Sequence, residues 1–234
     1  MRWIPFIVFL IAIQWYAFQA LKTLTQIRLW WVLYGFVVTI VLGSFLWQVY
    51  NYDRSVGWTP TITYTVGWFI ALITGQLVLI PILFFEDLSR IVIGIYRFFS
   101  TEQKFYLPER RKFIAQAALA LSAVPFTSLL YGMYQGRYNY KVLRYTLEYE
   151  SLPESFDGFQ ITQFSDLHCG SFDNLEKVAY GISLINDQKS DLILFTGDLV
   201  NNKSSEARPW VEKLSGLQAP YGKFSVLGNH DYGD

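Results

Sequence analysis

Four stretches, residues 4 to 21, 29 to 50, 62 to 85 and 113 to 135, carry no charged side chain, and each approaches or exceeds the roughly 20 helical residues that cross a hydrocarbon core. One such stretch can be the buried helix of a soluble domain. Four within the first 135 residues argue for a membrane domain of four helices over residues 1 to 136. Composition agrees: 52% of the 234 residues are hydrophobic and 16% are charged, against roughly 25% charged in an ordinary soluble domain. That balance excludes disorder. Met1-Arg2 ahead of an apolar run has the look of a signal peptide, but no A-x-A-like site closes the run and a second span follows, so the first span is read as an uncleaved anchor.

The connections between spans set an orientation. Lys22 and Arg28 flank the first connection, and Arg90, Arg97, Lys104, Arg110, Arg111 and Lys112 crowd the third, whereas the second has only Arg54 beside Asp53. Basic loops stay cytoplasmic, which places the N-terminus and everything after residue 136 on the outer, periplasmic or extracellular side of the inner cell membrane. Arg137, Lys141 and Arg144 run against this reading. Trp30, Trp31, Trp47 and Trp58 fall near predicted span ends, where amphipathic rings favour the headgroup layer. Residues 88 to 99, apolar but interrupted by Arg90 and Arg97, read as a short interfacial helix. Gln14, Gln19, Gln76 and Gln116 read as hydrogen-bonding residues between helices. With no ionisable side chain inside a span, a transporter has little support.

Residues 137 to 234 have another character. They hold nine basic and fourteen acidic residues, against ten and five in residues 1 to 136, so the halves carry −5 and +5 and sum to zero. Zero net charge offers no electrostatic case for nucleic acid as a partner. The alternation in 138 to 150 (YNYKVLRYTLEYE) predicts an edge strand, closed by turn residues in SLPESFDGF. Three apolar runs follow, FQITQFSDLH (159 to 168), DLILFTGD (191 to 198) and KFSVLGNHD (223 to 231), each ending in a polar cluster. Between them, Leu175, Val178, Ile182 and Ile185 mark a helix near 173 to 188. Trp210, Val211, Leu214 and Leu217 mark another near 205 to 217, capped by Ser204 or Ser205 with Pro209 in its first turn. The order predicts a βαβαβ unit with a parallel sheet.

In such a sheet the carboxyl ends of the strands lie along one edge, so Asp166, His168, Asp198, Asn229 and His230 should converge there. In Asp-x-His, alternate side chains point the same way and can grip one cation. Gly197 and Gly228 permit the sharp exit from their strands. Asp198 is the candidate carboxylate bridging two cations, an arrangement that clamps both the attacking and the leaving oxygen of a phosphoester. Asn229 offers a neutral amide oxygen to the second cation. His230 is then available to protonate the leaving oxygen, with Asp231 close enough in sequence to orient its imidazole. Each motif alone is common in ordinary turns. All three together, with 32 residues from Asp166 to Asp198 and 31 from Asp198 to Asn229, point to a metal-dependent phosphoesterase.

The motifs SDLHCG, TGDLVN and GNHD resemble those of the calcineurin-like metallophosphoesterase superfamily, and LPESFDGFQITQFSDLH is similar to its membrane-attached bacterial phosphodiesterases. The resemblance covers about Tyr140 to Asp234. It implies an αββα-type β-sandwich, incomplete here, with a dinuclear centre of two divalent ions of the Mn, Fe or Zn class. By the same matching, Asp166 and His168 would hold the first metal, Asp198 would bridge, Asn229 would hold the second, and His230 would act as acid or transition-state stabiliser. Cys169 stands where that family often has an apolar residue and is read as packing, not as a nucleophile. The family pattern continues past GNHD with further histidines, whereas His168 and His230 are the only two in this sequence. The chain is therefore expected to be the front portion of a longer hydrolase, inactive alone, that acts on a phosphodiester or phosphomonoester, including lipid-linked ones. The competing reading is a membrane scaffold or sensor with a degenerate phosphoesterase-like domain.

Overall fold

The apolar runs of the first half do become helices in the computed structural model, which describes residues 4–53, 56–57, 59–99 and 108–232. Met1, Arg2, Arg54, Trp58 and Lys104, used above, lie outside the described residues. Helix α1 spans Ile4–Leu24, α2 Arg28–Tyr50, α3 Pro60–Phe99 and α4 Pro108–Tyr134. All four are long and apolar enough to cross a membrane. The chain divides into two units, one of Met1–Asn51 with Thr65–Tyr134, the other of Tyr52–Tyr64 with Gln135–Asp234.

The first unit buries small and polar residues and turns large apolar ones outward, the reverse of a soluble domain. Its core is Ala17 and Ala20 of α1, Leu79 of α3, and Ala115 and Ala118 of α4. Small side chains let helices approach closely where lipid gives no hydrophobic drive for association. Phe9, Phe36, Trp47, Leu77 and Phe85 are all exposed. Gln14 and Gln76 exchange two hydrogen bonds of 2.9 and 2.6 Å between α1 and α3, and the Tyr34 hydroxyl donates to Gln14 Oε1 at 3.2 Å. Among the described residues the other two glutamines show no bond between helices: Gln19 donates to Trp15 O of its own helix, and Gln116 is exposed.

Residues 88 to 99 are not a separate interfacial helix. They continue the third span as one 40-residue helix, roughly 60 Å long and about twice the thickness of a hydrocarbon core. Its continuity past Phe85 has a local cause. Glu86 and Asp87 stand one turn before Arg90, whose guanidinium lies 4.0 Å from Glu86 Oε1 and 3.5 Å from Asp87 Oδ1, pairings that favour helix.

In the second unit, β1 (Ile161–Phe164), β2 (Leu192–Phe195) and β3 (Lys223–Ser225) form a parallel sheet in the order β1-β2-β3, as the alternating pattern requires. Helix α5 (Leu175–Asn186) is capped by Asn174, whose side chain accepts from Lys177 N at 2.9 Å. Tyr138, Cys169, Val178 and Trp210 form the buried centre, with Leu167, Phe172, Ile182, Leu199 and Leu214 against them.

Two expectations are corrected. Residues 138 to 150 are not an edge strand: Gly136–Tyr138 is a 3₁₀ turn and the rest runs without ladder pairing among the described residues. A cavity of about 530 Å³ is lined by Tyr140, Val142 and Leu143 of this segment together with Phe164 of β1 and Ile185 of α5. A strand needs a neighbour within about 4.8 Å to bond to. The predicted helix at 205 to 217 is a 3₁₀ turn over Ser204–Trp210 followed by the short α6 (Val211–Ser215). Pro209 disfavours α geometry at Arg208 and contributes no N–H. The residue before the 3₁₀ turn is Lys203, with no side-chain cap, so neither serine caps it.

Candidate metal centre

The strand ends converge as the parallel topology demands. After β1 the chain passes through Asp166 (φ 56°) and His168 (φ 44°), and after β2 through Gly197 (φ 102°) and Asp198 (φ 60°). Left-handed backbone is tolerated best by Gly, Asp, Asn and His, the residue types found here. The two exits are stitched together: Asp166 N donates to Gly197 O at 3.0 Å, His168 N to Asp198 O at 3.1 Å and Cys169 N to Leu199 O at 2.9 Å. Gly197 answers the expectation of a turn glycine. Gly228 does so differently, because it lacks positive φ but has no room: a Cβ there would sit 2.4 Å from Asp198 N.

His168, Asp198 and His230 come together, with one ligand atom of each within 4.8 Å of the others. The two imidazoles meet edge to face, centroids 4.8 Å apart. Asp198 is buried, His168 half-buried and His230 exposed. Asp166 lies outside this trio and accepts a hydrogen bond from the Ser165 hydroxyl. Asn229 is exposed at the start of the 3₁₀ turn Asn229–Tyr232 that carries His230. His230 N donates to Asp198 Oδ1 at 2.9 Å, fixing the carboxylate against the incoming turn.

The donor set fits a divalent cation on a point of proton chemistry. His168 Nδ1 faces Val200 O at 3.2 Å, and His230 Nδ1 faces Asn201 O at 2.8 Å. A carbonyl oxygen can only accept, so both Nδ1 atoms carry a proton and both Nε2 atoms are left for a cation or for a second proton. This is how metal-binding imidazoles are held. Neither Val200 nor Asn201 was singled out in the sequence, because a backbone carbonyl leaves no residue-type signature. TGDLVN does end at Asn201, whose side-chain Nδ2 donates to Ser171 Oγ at 2.9 Å and whose backbone N donates to Glu206 Oε2 at 2.7 Å.

Asp231 does not orient the His230 imidazole as expected. Its carboxylate takes four backbone N–H groups, from Gly228 (2.9 Å) and Asp198 (2.8 Å) on Oδ2 and from Leu199 (2.8 Å) and Val200 (3.2 Å) on Oδ1. Neighbourhood in sequence is overridden because the 3₁₀ turn points the carboxylate back into the β2 exit. Burial alone would push the Asp231 carboxyl up; the four donors outweigh it and hold it below the ordinary carboxylate range. Cys169 is 1% exposed within the core, and burial pushes its thiol up to about 12. It is a packing residue, inert at neutral pH.

Comparison with known proteins finds a family match for each of two stretches of the chain. Residues 1–137 match the family described as "Probable Calcineurin-like phosphoesterase, transmembrane domain", and residues 159–234 match "Calcineurin-like phosphoesterase". The uncharacterized metallophosphoesterase YkuE of Bacillus subtilis is 36% identical over 53% of this chain and 45% of its own length. A zebrafish (Danio rerio) transmembrane protein with metallophosphoesterase domain is 26% identical over 88% of this chain and 45% of its own. The UDP-2,3-diacylglucosamine pyrophosphatase LpxG of Chlamydia trachomatis is 38% identical over 39% of this chain and 29% of its own. The chain thus spans about half the length of the curated relatives it matches, or less. No solved structure matches it.

Proposed function

Since the chain belongs to the calcineurin-like phosphoesterases that carry a four-helix transmembrane domain, we propose that it works in a membrane-anchored, metal-dependent phosphoester hydrolase, with residues 1–136 as anchor and 137–234 in the catalytic domain. The observation that carries the reading is the pair of imidazoles held with Nδ1 on backbone carbonyls beside a buried carboxylate. Asp166 and His168 would hold a first divalent ion, Asp198 would bridge to a second, and Asn229 would complete the share of that second ion that these residues supply. The ions, when bound, supply Lewis acidity toward the phosphoryl oxygens.

The rest of the work falls to the chain. His230, with Nδ1 fixed by Asn201 O, would take up a second proton at Nε2 from solvent and give it to the leaving-group oxygen, returning to the neutral imidazole. Asp231 is a positioning residue that keeps the β2 and β3 exits at a fixed separation and so keeps His230 beside Asp198. Asp198, buried and held by His230 N, needs no reorganisation when a cation arrives. The outward placement of the catalytic domain rests on the loop charges. A lipid-borne phosphoryl substrate is supported by the anchor and by the acylated substrate in the name of the chlamydial relative, itself a pyrophosphatase.

The test uses the full-length protein in detergent with bis(p-nitrophenyl) phosphate and Mn²⁺. Metal-dependent hydrolysis that disappears in Asp198→Ala and falls at least about hundredfold in His230→Ala is expected. Hydrolysis surviving in both variants overturns the role assignment. Metal retained without turnover of any phosphoester supports the scaffold or sensor reading instead.

A further inference from the structure

Arg137 sits just beyond α4, in the 3₁₀ turn Gly136–Tyr138, within the second unit. Its guanidinium is gripped on several sides. Nη2 lies 2.8 Å from Asp173 Oδ1 and donates to the Tyr64 hydroxyl at 2.6 Å, and Nη1 donates to the Ser171 carbonyl at 2.5 Å. Its centre stands 4.9 Å from the Tyr138 ring and 5.3 Å from that of Tyr64. The Tyr64 hydroxyl donates onward to Asp173, as does Tyr138 at 2.7 Å, while the Tyr138 oxygen accepts from the N–H groups of Asp173 and Asn174. Arg137 and Asp173 are 15% and 26% exposed at their side chains, far more enclosed than the surface pairs that contribute little.

The grip falls on the turn that begins at His168. Ser171 N donates to His168 O at 2.8 Å, closing a 3₁₀ turn whose first residue is His168 in left-handed backbone. A non-glycine residue persists there when its surroundings over-determine it. Ser171 also reaches the second imidazole, since its hydroxyl accepts from Asn201 Nδ2 and Asn201 O faces His230 Nδ1. One guanidinium is therefore two hydrogen bonds from His168 and three from His230.

We propose that Arg137, with Tyr64, Tyr138 and Asp173, is a positioning cluster that sets the turn carrying His168 and thereby the metal affinity of the centre. This rests on the reading of that centre given above. Lysine cannot replace the arginine, because one ammonium cannot reach the Ser171 carbonyl, the Asp173 carboxylate and the Tyr64 hydroxyl in the fixed fork that a guanidinium presents.

The experiment measures Mn²⁺ binding to the full-length protein by the loss of the free-ion EPR signal, together with KM and kcat for bis(p-nitrophenyl) phosphate. Arg137→Gln and Arg137→Lys are each expected to raise the Mn²⁺ concentration for half-occupancy about tenfold, the lower end of what outer-shell changes produce. Tyr64→Phe, a milder change, should shift it in the same direction by a smaller factor, and KM at saturating Mn²⁺ should hold. A purely structural role would lower thermal stability and the active fraction while leaving the Mn²⁺ affinity of the folded protein as in wild type. That result in all three variants, beside an active wild type, overturns this inference alone. A wild-type protein that binds no Mn²⁺ overturns both it and the proposed function.

Discussion

Replacing Asp231 with Asn tests the clamp between the β2 and β3 exits. The carboxylate divides its four N–H partners two and two, with Gly228 and Asp198 on one oxygen and Leu199 and Val200 on the other. An amide has one acceptor oxygen. Asn therefore keeps two of these bonds at most and turns an NH₂ group toward the other two donors. Hydrogen bonds to a charged group contribute roughly 1.5–3 kcal/mol each. Losing two, discounted because Asp231 is only partly buried, should cost the local structure about 2–4 kcal/mol. At about 1.4 kcal/mol per tenfold this is roughly a 30- to 700-fold rise in the opening equilibrium. Hydrogen exchange followed by mass spectrometry should show residues 198 to 200 exchanging faster by about that factor, with the α5 peptide unchanged. Equal protection in the variant and the wild type would refute the reasoning. The same clamp has a pH signature. Because Asp231 is held below the ordinary carboxylate range, its contribution is fully present above about pH 4 and is lost as pH falls through the lower folded-state value. Protection of these amides should be constant from pH 5 to 8 and collapse in acid, and in Asp231→Asn that acid dependence should be absent.

Gly197→Ala should destabilise the second unit by at least about 2 kcal/mol, because a Cβ at φ 102° would stand 2.3 Å from Gly228 N; Gly35→Ala, with nothing within 4 Å, should change unfolding by less than about 1 kcal/mol in the same denaturant titration. In a double-mutant cycle, Gln14→Leu and Gln76→Leu should show a coupling of about 0.6–2 kcal/mol in detergent unfolding, and strict additivity would mean that their reciprocal bonds contribute nothing. Cys169, its thiol near 12, should be about one part in ten thousand thiolate at pH 8 and resist maleimide until the protein is unfolded; rapid labelling of the native protein would contradict its burial.

The architecture was legible where a pattern has one physical outcome. Uncharged runs of span length became four helices, and three apolar runs of period-2 or continuous type became three parallel strands whose ends meet. Of the five residues that the parallel sheet was expected to bring together, His168, Asp198 and His230 meet, while Asp166 lies outside that trio. What escaped the sequence lies in interactions without a residue-type signature. The imidazole tautomers are set by the carbonyls of Val200 and Asn201, and the task of Asp231 is set by which way a 3₁₀ turn points it. Continuity of α3 through Glu86 and Asp87 was hidden because charges ending an apolar run read as a loop, whereas their i+3 and i+4 pairing with Arg90 sustains the helix. The segment 138 to 150 has the alternation of a strand, but alternation specifies a face to bury and not a neighbour to bond with. Arg137 counted as an ambiguous loop charge; its role depends on Tyr64, 73 residues away, a proximity no local pattern encodes.

The central claim is that His168, Asp198 and His230 line a divalent-metal centre at the strand ends. Anomalous diffraction from crystals of the full-length protein soaked in Mn²⁺ tests it most directly. The account predicts a manganese peak at direct bonding distance from the His168 imidazole and an Asp198 oxygen, with a second peak sharing Asp198. A fully folded site with no peak there, or manganese bound only elsewhere, would contradict it.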